Sequence, residues 1–200
     1  MTPCYGVVTI GWRNNSADAC PNQVWVGDGQ GGFRATDQLL DEGNRHVHGV
    51  AAGDVNGDGA PDIVLATTVA GHAAKIWLND GRGHFRDSGQ KLGDRWAHAV
   101  LLGDLNGDGA PDLFLVCGDP QGGTPNQVFL NDGKGRFTDS GLRLGRAFSF
   151  DGALGDFDRD GRLDVFVADL RVVDDSKTPP IFGGAPGEVW MNRTGQTVVH

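Results

Sequence analysis

The chain has 200 residues, 33 of them glycine, and a formal net charge of −9 at pH 7. Apolar residues make up 38% and charged residues 22%, which excludes a disordered acidic chain and favours a folded domain with many turns. The acidic balance argues against nucleic acid as a partner because phosphates would be repelled, and no run approaches the ~18 apolar residues of a membrane span.

The first residues, MTPCYGVVTIGW, lack a basic region followed by a long apolar segment, so we expect no signal peptide here. Of the three cysteines, Cys4 and Cys20 are candidates for a disulfide around a loop, with two free thiols as the alternative. Cys117 lies in the apolar run DLFLVC and is predicted to be a buried free thiol.

A short apolar run centred on an aromatic residue recurs along the chain, as VWV (24–26), IWL (76–78), VFL (128–130) and VWM (189–191). Another large apolar residue follows each aromatic at a fixed distance, and most pairs enclose a turn phrase such as NDGRGH, which indicates a β-hairpin. We predict that the aromatics of these pairs fill the core between neighbouring units: Trp25, Phe33, Trp77, Phe85, Phe129, Phe137 and Trp190.

Three acidic phrases divide the chain: GDVNGDGAPD (53–62), GDLNGDGAPD (103–112) and GDFDRDGRLD (155–164), here called loops A, B and C. An apolar run precedes and follows each of them, and no run keeps the period of a helix. One unit is therefore strand, acidic loop, strand, variable loop, strand, hairpin turn and strand, in about 50 residues. This is the anatomy of a β-propeller blade.

We therefore predict an all-β fold, a β-propeller or propeller fragment with about four blades of four antiparallel strands, the first incomplete. The predicted blades span 1–44, 45–94, 95–145 and 146–200. Blade 1 begins part-way through a unit, because alignment of Pro3 with Pro61 places Cys4 where loop A has an aspartate. A ring left open, or a ring completed by another molecule, are alternatives to the partial propeller within a larger assembly that we favour.

Oxygen-bearing residues alternate along each acidic loop. With Asp54 as position 1, side-chain oxygens stand at positions 1, 3, 5 and 9, and the backbone carbonyl of position 7 adds another. Calcium takes about six to eight such oxygens, magnesium prefers fewer protein ligands, and zinc prefers His or Cys. We predict three calcium sites with these ligands: Asp54, Asn56, Asp58, Ala60, Asp62; Asp104, Asn106, Asp108, Ala110, Asp112; Asp156, Asp158, Asp160, Arg162 and Asp164.

A helix–loop–helix calcium site is an alternative, because it begins with a similar phrase. That site needs a bidentate Glu at its twelfth position, where this chain has Leu65, Leu115 and Val167 within apolar runs. Polar turns without metal also favour Asp, Asn and Gly, but three copies at the same spacing favour the metal site.

The stretch GDVNGDGAPDIVLATT…KIWLNDGRGHFRDSG resembles the FG-GAP/VCBS repeat family, the blade unit of integrin α-subunit-like propellers and of many extracellular bacterial and fungal proteins. The resemblance covers nearly the whole chain. It implies a calcium-stabilised β-propeller, usually outside the cell, with calcium ligands at the positions given above. Because members serve in adhesion, as carbohydrate-binding lectins or as propeller domains appended to enzymes, the resemblance does not fix an activity.

We expect a non-enzymatic, extracellular or periplasmic calcium-binding propeller that acts as an adhesion or recognition scaffold for a protein or a glycan. An accessory propeller domain or subunit of an enzyme, and a structural repeat of a surface assembly, are the alternatives. Nucleophile-elbow, paired-cysteine and phosphate-loop motifs are missing from the sequence. Nucleic acid is not expected as a partner, whereas self-association or a larger assembly would complete blade 1.

Two further features concern ligand recognition. His48 and His98 precede loops A and B at equivalent places, with Phe150 before loop C, and strand packing or a hydrogen bond is favoured over paired metal ligation. The longest insertion, RVVDDSKTPPIFGGAPGE (171–188), is the predicted recognition surface, because long loops on a rigid scaffold carry binding function.

Overall fold

The computed structural model describes residues 6–9, 22–40, 47–68, 71, 73–94, 96–119, 124–174 and 181–192. Within these residues the chain forms fifteen β-strands and no helix. Cys4 and Cys20 lie outside the described residues, as does Val198, the large apolar residue that follows Trp190 at the fixed distance. The candidate disulfide therefore stays a prediction, whereas Cys117 is a buried free cysteine, as the sequence predicts.

The strands form four sheets in which neighbouring strands run antiparallel. Sheet 1 contains β1 (Gly6–Thr9), β2 (Asn22–Gly27) and β3 (Phe33–Leu40). Sheet 2 contains β4 (Val47–Gly53), β5 (Asp62–Thr67), β6 (Ala74–Asn79) and β7 (Phe85–Leu92). Sheet 3 contains β8 (Ala97–Gly103), β9 (Asp112–Cys117), β10 (Asn126–Asn131) and β11 (Phe137–Leu144). Sheet 4 contains β12 (Phe148–Gly155), β13 (Asp164–Asp174), β14 (Ile181–Gly184) and β15 (Glu188–Trp190). The predicted all-β fold of four-stranded antiparallel blades is confirmed.

The second strands of sheets 2 and 3 are buried along their whole length, because each lies between two neighbouring sheets. Alternate residues of a strand point to opposite faces. In β5, Ile63 and Leu65 pack toward sheet 1, and Val64 and Ala66 pack toward sheet 3. The apolar core therefore consists of three layers between successive sheets, the arrangement of stacked propeller blades.

Sheets 1 and 4 are the two ends of this stack. Their outward faces also carry apolar side chains, but these side chains are exposed. Phe166 and Val189 face each other on β13 and β15 and are 39% and 50% exposed. On sheet 1, Phe33 is 56% exposed, whereas its counterpart Phe137 is buried. The prediction that Phe33 belongs to the core is therefore wrong for the described residues, because no sheet covers that face.

Five of the other six predicted core aromatics pack between sheets, whereas Trp25 lies on the outward face of sheet 1. Phe129 and Phe137 are buried in the layer between sheets 2 and 3. The half-buried Trp77 and Phe85 contact the layer toward sheet 1, and Trp190 contacts the layer toward sheet 3. Trp25 is half-buried on β2 and alternates with Val24, which packs toward sheet 2.

The first strands β4, β8 and β12 contact one another and form the inner edge of the stack. Gly49 of β4 is required there, because a Cβ at this position would lie 2.8 Å from the His98 carbonyl oxygen. A row of adjacent first strands is typical of the inner wall of a propeller.

Sheet 1 corrects the predicted alignment of the chain start. Val7 pairs with Trp25 in the way that Ile63 pairs with Trp77. Gly6, rather than Cys4, therefore occupies the place of Asp62, the last residue of loop A.

Sheet 4 departs from the predicted blade in the segment 171–188. β13 runs on to Asp174 and pairs with β14, with Val172 opposite Phe182, so much of this segment is a β-hairpin rather than a loop. β15 pairs with the first part of β13, where Val165 lies opposite Trp190. The insertion thus extends β13 past the blade. Because β14 comes next in the sequence, the strand that takes the third position of the blade is β15.

A glutamine side chain connects successive sheets. Gln90 on β7 donates Nε2 to the Gly135 carbonyl (2.7 Å) and accepts the Phe137 N–H at Oε1 (2.9 Å). Gln38 on β3 makes the same two bonds to Gly83 and Phe85. Each glutamine thereby fixes the hairpin of the next sheet against the outer strand of its own.

Replacement of Gln90 by Leu, the residue at the equivalent position 142, tests this connection. Gln90→Leu leaves a backbone carbonyl and a backbone N–H without their partners, and should lower the free energy of unfolding by about 1–3 kcal/mol. Urea denaturation measures the loss. Lys91→Leu in the same strand is the control and should change stability by less than about 0.5 kcal/mol; equal losses in both variants would rule out the connection.

Candidate metal centres

Loops A, B and C connect the first and second strands of sheets 2, 3 and 4. Left-handed backbone at position 4 lets each loop curl, with φ of 76° at Gly57, 83° at Gly107 and 64° at Arg159. Glycine tolerates this conformation, whereas Arg159 adopts it at a cost. The three loops therefore share one backbone conformation despite the different sequence of loop C.

The position-1 carboxylate organises each loop from inside. Asp54 accepts the N–H groups of Gly57 (2.7 Å), Asp58 (3.2 Å) and Gly59 (2.8 Å). Burial alone would raise the pKa of Asp54, but the donors from Gly59 and Gly57 outweigh it and the pKa is lowered. Asp104 repeats these bonds in loop B, and Asp156 accepts two N–H groups in loop C.

The position-9 carboxylate opens the second strand and is fully buried in all three loops, at Asp62, Asp112 and Asp164. Asp62 accepts the N–H of Val55 (3.0 Å) and that of Asn79 (2.8 Å). Burial raises the pKa of Asp62, and the nearby charges of Asp58 and Asp54 raise it further. The pKa of Asp112 is raised by the same causes, burial first. A buried negative charge beside other carboxylates is costly unless a cation compensates it.

Loop C brings three predicted ligands together. One carboxylate oxygen from each of Asp156, Asp158 and Asp164 lies within 4.8 Å of the others. These residues hold positions 1, 3 and 9, and loops A and B have Asn56 and Asn106 at position 3. The convergence thus supplies the all-oxygen donor set that a hard divalent cation prefers.

Positions 5 and 7 behave differently in loop C. Arg162 forms an ion pair with Asp160 and donates Nε to the Asn192 carbonyl (2.8 Å). In loop A, Asp58 instead accepts the Asn56 side chain (2.9 Å), whereas the bond from the position-7 N–H to the position-5 carboxylate is present in both loops. Asp160 is therefore engaged by a cation of the protein itself, and its predicted role as a metal ligand remains a prediction.

The donor set fits calcium, because side-chain carboxylates and amides predominate and the loops contain neither His nor Cys. Asp156, Asp158 and Asp164 would hold the ion in loop C, with the corresponding positions 1, 3 and 9 in loops A and B. The chemistry that calcium supplies there is compensation of clustered negative charge. All of these ligand assignments stay predictions, including the carbonyls of Ala60 and Ala110.

Sequence reasoning missed a set of asparagines that brace these loops. Asn131 donates its N–H to Asp112 (2.8 Å) and its Nδ2 to the carbonyls of Val55 (2.8 Å) and Pro111 (3.1 Å). It therefore links loop B to loop A across the sheet boundary. Asn192 makes the equivalent bonds to Asp164 and to Leu105. The recurrence of Asn two residues after three of the four central aromatics, Trp77, Phe129 and Trp190, was the available signal.

The histidines of the inner strands lie together. His48 and His98 have ring centroids 5.2 Å apart, and Phe150 stacks on His98 at 5.2 Å. His98 Nε2 lies 2.9 Å from the Gly118 carbonyl oxygen. These residues and Asp151 line a cavity of about 290 Å³. The predicted packing role of His98 is confirmed, although the two histidines contact each other across the blades.

Burial lowers the pKa of His98 from its ordinary value of 6.5, and the hydrogen bond to Gly118 only partly opposes this. Because the unfolded chain then binds a proton more readily than the folded one, stability should fall as the pH drops below about 6.5. His48 and Asp151 are the other titratable groups at this cavity.

The variant His98→Phe, which has the residue found at the equivalent position 150, tests this pH dependence. Its free energy of unfolding, measured in urea, should fall less than that of the wild type between pH 7.5 and 5.5. His84→Phe, at an exposed position, should behave like the wild type; identical losses in all three proteins would exclude the buried histidine as the cause.

The stacked antiparallel sheets and the three equivalent acidic loops define an all-β repeat protein. The family model described as FG-GAP-like repeat matches residues 7–65, 54–115 and 104–167. Because these matches cover most of the chain, it belongs to the FG-GAP-like repeat family, as the sequence resemblance predicts. No match was found among curated proteins. Among the residues that the structure describes, no helix has the length and apolar character of a membrane span.

Proposed function

We propose that the chain is a calcium-stabilised β-propeller segment that acts outside the cell as a non-enzymatic adhesion or recognition scaffold. The convergence of Asp156, Asp158 and Asp164 within 4.8 Å carries the calcium part of this proposal. The repeated geometry of loops A and B supports three sites rather than one. Membership of the FG-GAP-like repeat family supports the scaffold role and the extracellular setting.

Calcium would act as a structural ion at the junction of first and second strands. Asn131 and Asn192 connect loops A and B to the next sheet, so ion binding at either of these loops would stabilise two blades. A carboxylate held by backbone N–H groups and a cation is a poor proton shuttle. The loops therefore favour a structural role over a catalytic one.

Direct calcium titration of the metal-free chain by calorimetry tests the calcium part. We expect the wild-type chain to bind three calcium ions. The double variant Asp156→Asn, Asp164→Asn, which leaves loops A and B intact, should bind two. Arg171→Gln, in the hairpin of sheet 4, is the control and should keep all three. Absence of calcium uptake would overturn the proposal.

The ligand is a protein or a glycan, and the β13–β14 hairpin is the proposed recognition surface. It continues strand β13 past the blade, so it is positioned for contact. Glycan and protein arrays test the role of the hairpin. The calcium-loaded chain is screened beside a variant in which a short turn replaces segment 171–184. Binding that persists in the shortened variant would exclude the hairpin.

A structural repeat of a surface assembly is a second candidate, favoured by the outward apolar faces with Phe33, Phe166 and Val189. Exposed apolar patches of this kind mark association sites. Light scattering after size exclusion distinguishes the candidates, because an assembly has several times the 21.1 kDa mass of one chain. A monomer at micromolar concentration would exclude the assembly.

A further inference from the structure

A groove of about 490 Å³ runs between the outer strand of sheet 2 and the hairpin of sheet 3. Four cationic side chains line it: Arg86, Lys91, Lys134 and Arg136. Among the described residues that line it, none is acidic. In a chain of net charge −9, four cations around one groove form a local region of opposite sign.

None of the ion pairs among the described residues includes these four cations, although the backbone N–H groups of Lys134 and Arg136, and then their charges, lower the pKa of the nearby Asp132. The described ion pairs join Asp80, Asp139 and Asp160 to other groups. The nearest acidic neighbour in the hairpin, Asp132, accepts the N–H groups of Lys134 (2.9 Å) and Arg136 (3.1 Å). Its carboxylate is therefore held by the turn, while the charged ends of Lys134 and Arg136 remain exposed.

The groove walls are held in place. Gln90, which also lines the groove, fixes the hairpin through its two bonds to Gly135 and Phe137. Phe137 and Leu92 are buried beneath the groove. A ligand would therefore meet preorganised backbone and needs to order only the exposed side chains, which reduces the cost of binding.

The equivalent grooves at the other sheet boundaries differ in charge. Between sheets 1 and 2, the repeat places Arg34, Leu39, Arg82 and His84 at the four positions, so two permanent cations remain. On sheet 3, Arg143 takes the place of Lys91 and forms an ion pair with Asp139 at 2.6 Å. Among the described residues, the boundary of sheets 2 and 3 therefore carries more positive charge outside ion pairs than the boundary of sheets 1 and 2.

We infer that this groove binds an acidic oligosaccharide through its sulfate or carboxylate groups. The cations stand on both walls, which suits a ligand with several anionic groups along its length rather than one. The high negative charge of the remaining chain disfavours long polyanions, so a short saccharide is the better fit. This inference rests on the proposed recognition function and adds a second binding surface, for acidic saccharides, that is separate from the β13–β14 hairpin.

Each exposed cation should contribute a modest factor to affinity, about two- to five-fold, and the contribution should weaken with salt. The probe is a sulfated heparin hexasaccharide, titrated into the calcium-loaded chain at low salt, beside its desulfated form and inorganic sulfate. We expect the sulfated hexasaccharide to bind at least ten-fold more tightly than either.

Lys134→Glu should weaken binding about ten-fold, and Arg82→Glu is the matched control. Arg82 holds the same place in the hairpin of sheet 2 and undergoes the same charge reversal, so it should change affinity less than two-fold. Lys134→Met removes the charge without reversing it and should show a smaller loss, and thermal melts confirm that each variant is folded.

Equal binding of the sulfated and desulfated forms, equal affinity for inorganic sulfate, or equal losses in the two Glu variants would each overturn the inference. Calcium uptake by the same samples separates this failure from failure of the proposed function. If the chain binds calcium but not the hexasaccharide, the saccharide site in the groove is refuted and the calcium-stabilised propeller is not.

Discussion

Chelation of calcium is expected to lower the melting temperature of the chain by at least about 8 °C. A site occupied at a thousand times its dissociation constant adds about 4 kcal/mol to stability. For a chain of this size each kcal/mol shifts the melting temperature by about 2–4 °C. The reason is electrostatic, since the carboxylates of Asp156, Asp158 and Asp164 converge within 4.8 Å. Calorimetric melts with calcium and with a chelator measure the shift, and excess calcium should restore the original curve.

Asp158→Asn is a control whose effect on the melting temperature should have opposite signs with and without calcium. It gives loop C the Asp–Asn–Asp pattern that loops A and B have at positions 1, 3 and 9. Without metal, the variant has one charge fewer in the cluster and should melt at or above the wild type. With calcium it has one carboxylate ligand fewer and should melt below it. A melting curve that chelation leaves unchanged would refute the structural role of calcium.

The sequence was sufficient to predict the blades because the strands and turns carry local signals. Fully apolar runs such as DLFLVC indicate strands buried on both faces, which requires sheets on either side. The spacing of the acidic loops then gives the order of strands within each sheet. These features depend on residues close in the chain, so one sequence reveals them.

The sequence does not predict burial or side-chain contacts that depend on a neighbouring sheet. Phe33 has the same local context as Phe137, and only the presence of a covering sheet decides which of them is buried. The contact of His48 with His98 likewise depends on how closely the inner strands approach. The strand β13 is longer than predicted because the segment 171–174 precedes the polar, proline-containing stretch DSKTPP and therefore looks like part of a loop.

The asparagine braces were hidden for a different reason. Asn79 and Asn131 stand in Asn-Asp-Gly turns, and a turn already explains an asparagine there. Their side chains also accept N–H groups within the turn, at Gly81 and Gly133. Only the structure shows that Asn131 also reaches Val55 in the preceding sheet. The acidic loops are therefore parts of a network that crosses sheet boundaries.

Replacement of the position-9 carboxylate should have the largest effect of a single substitution. Asp112 is fully buried and accepts the N–H of Leu105 (3.0 Å) and that of Asn131 (2.8 Å). Asp112→Ala leaves both donors without an acceptor, at about 1–3 kcal/mol each. We expect a loss of about 2–6 kcal/mol in the free energy of unfolding, measured in urea with a chelator present. Such a loss is a large fraction of the ~5–15 kcal/mol that stabilises a typical domain.

Asp108→Ala separates the hydrogen-bonding role from the calcium role. Asp108 belongs to the same loop but is exposed, so water replaces its bonds to Asn106 and Ala110. With chelator this variant should stay within about 1 kcal/mol of the wild type, whereas with calcium it should lose a predicted ligand and become less stable. Asp112→Asn keeps one oxygen acceptor and should recover part of the loss. If Asp112→Ala and Asp108→Ala were equally stable without metal, the buried carboxylate would not hold the strand junction, and the ion alone would have to do so.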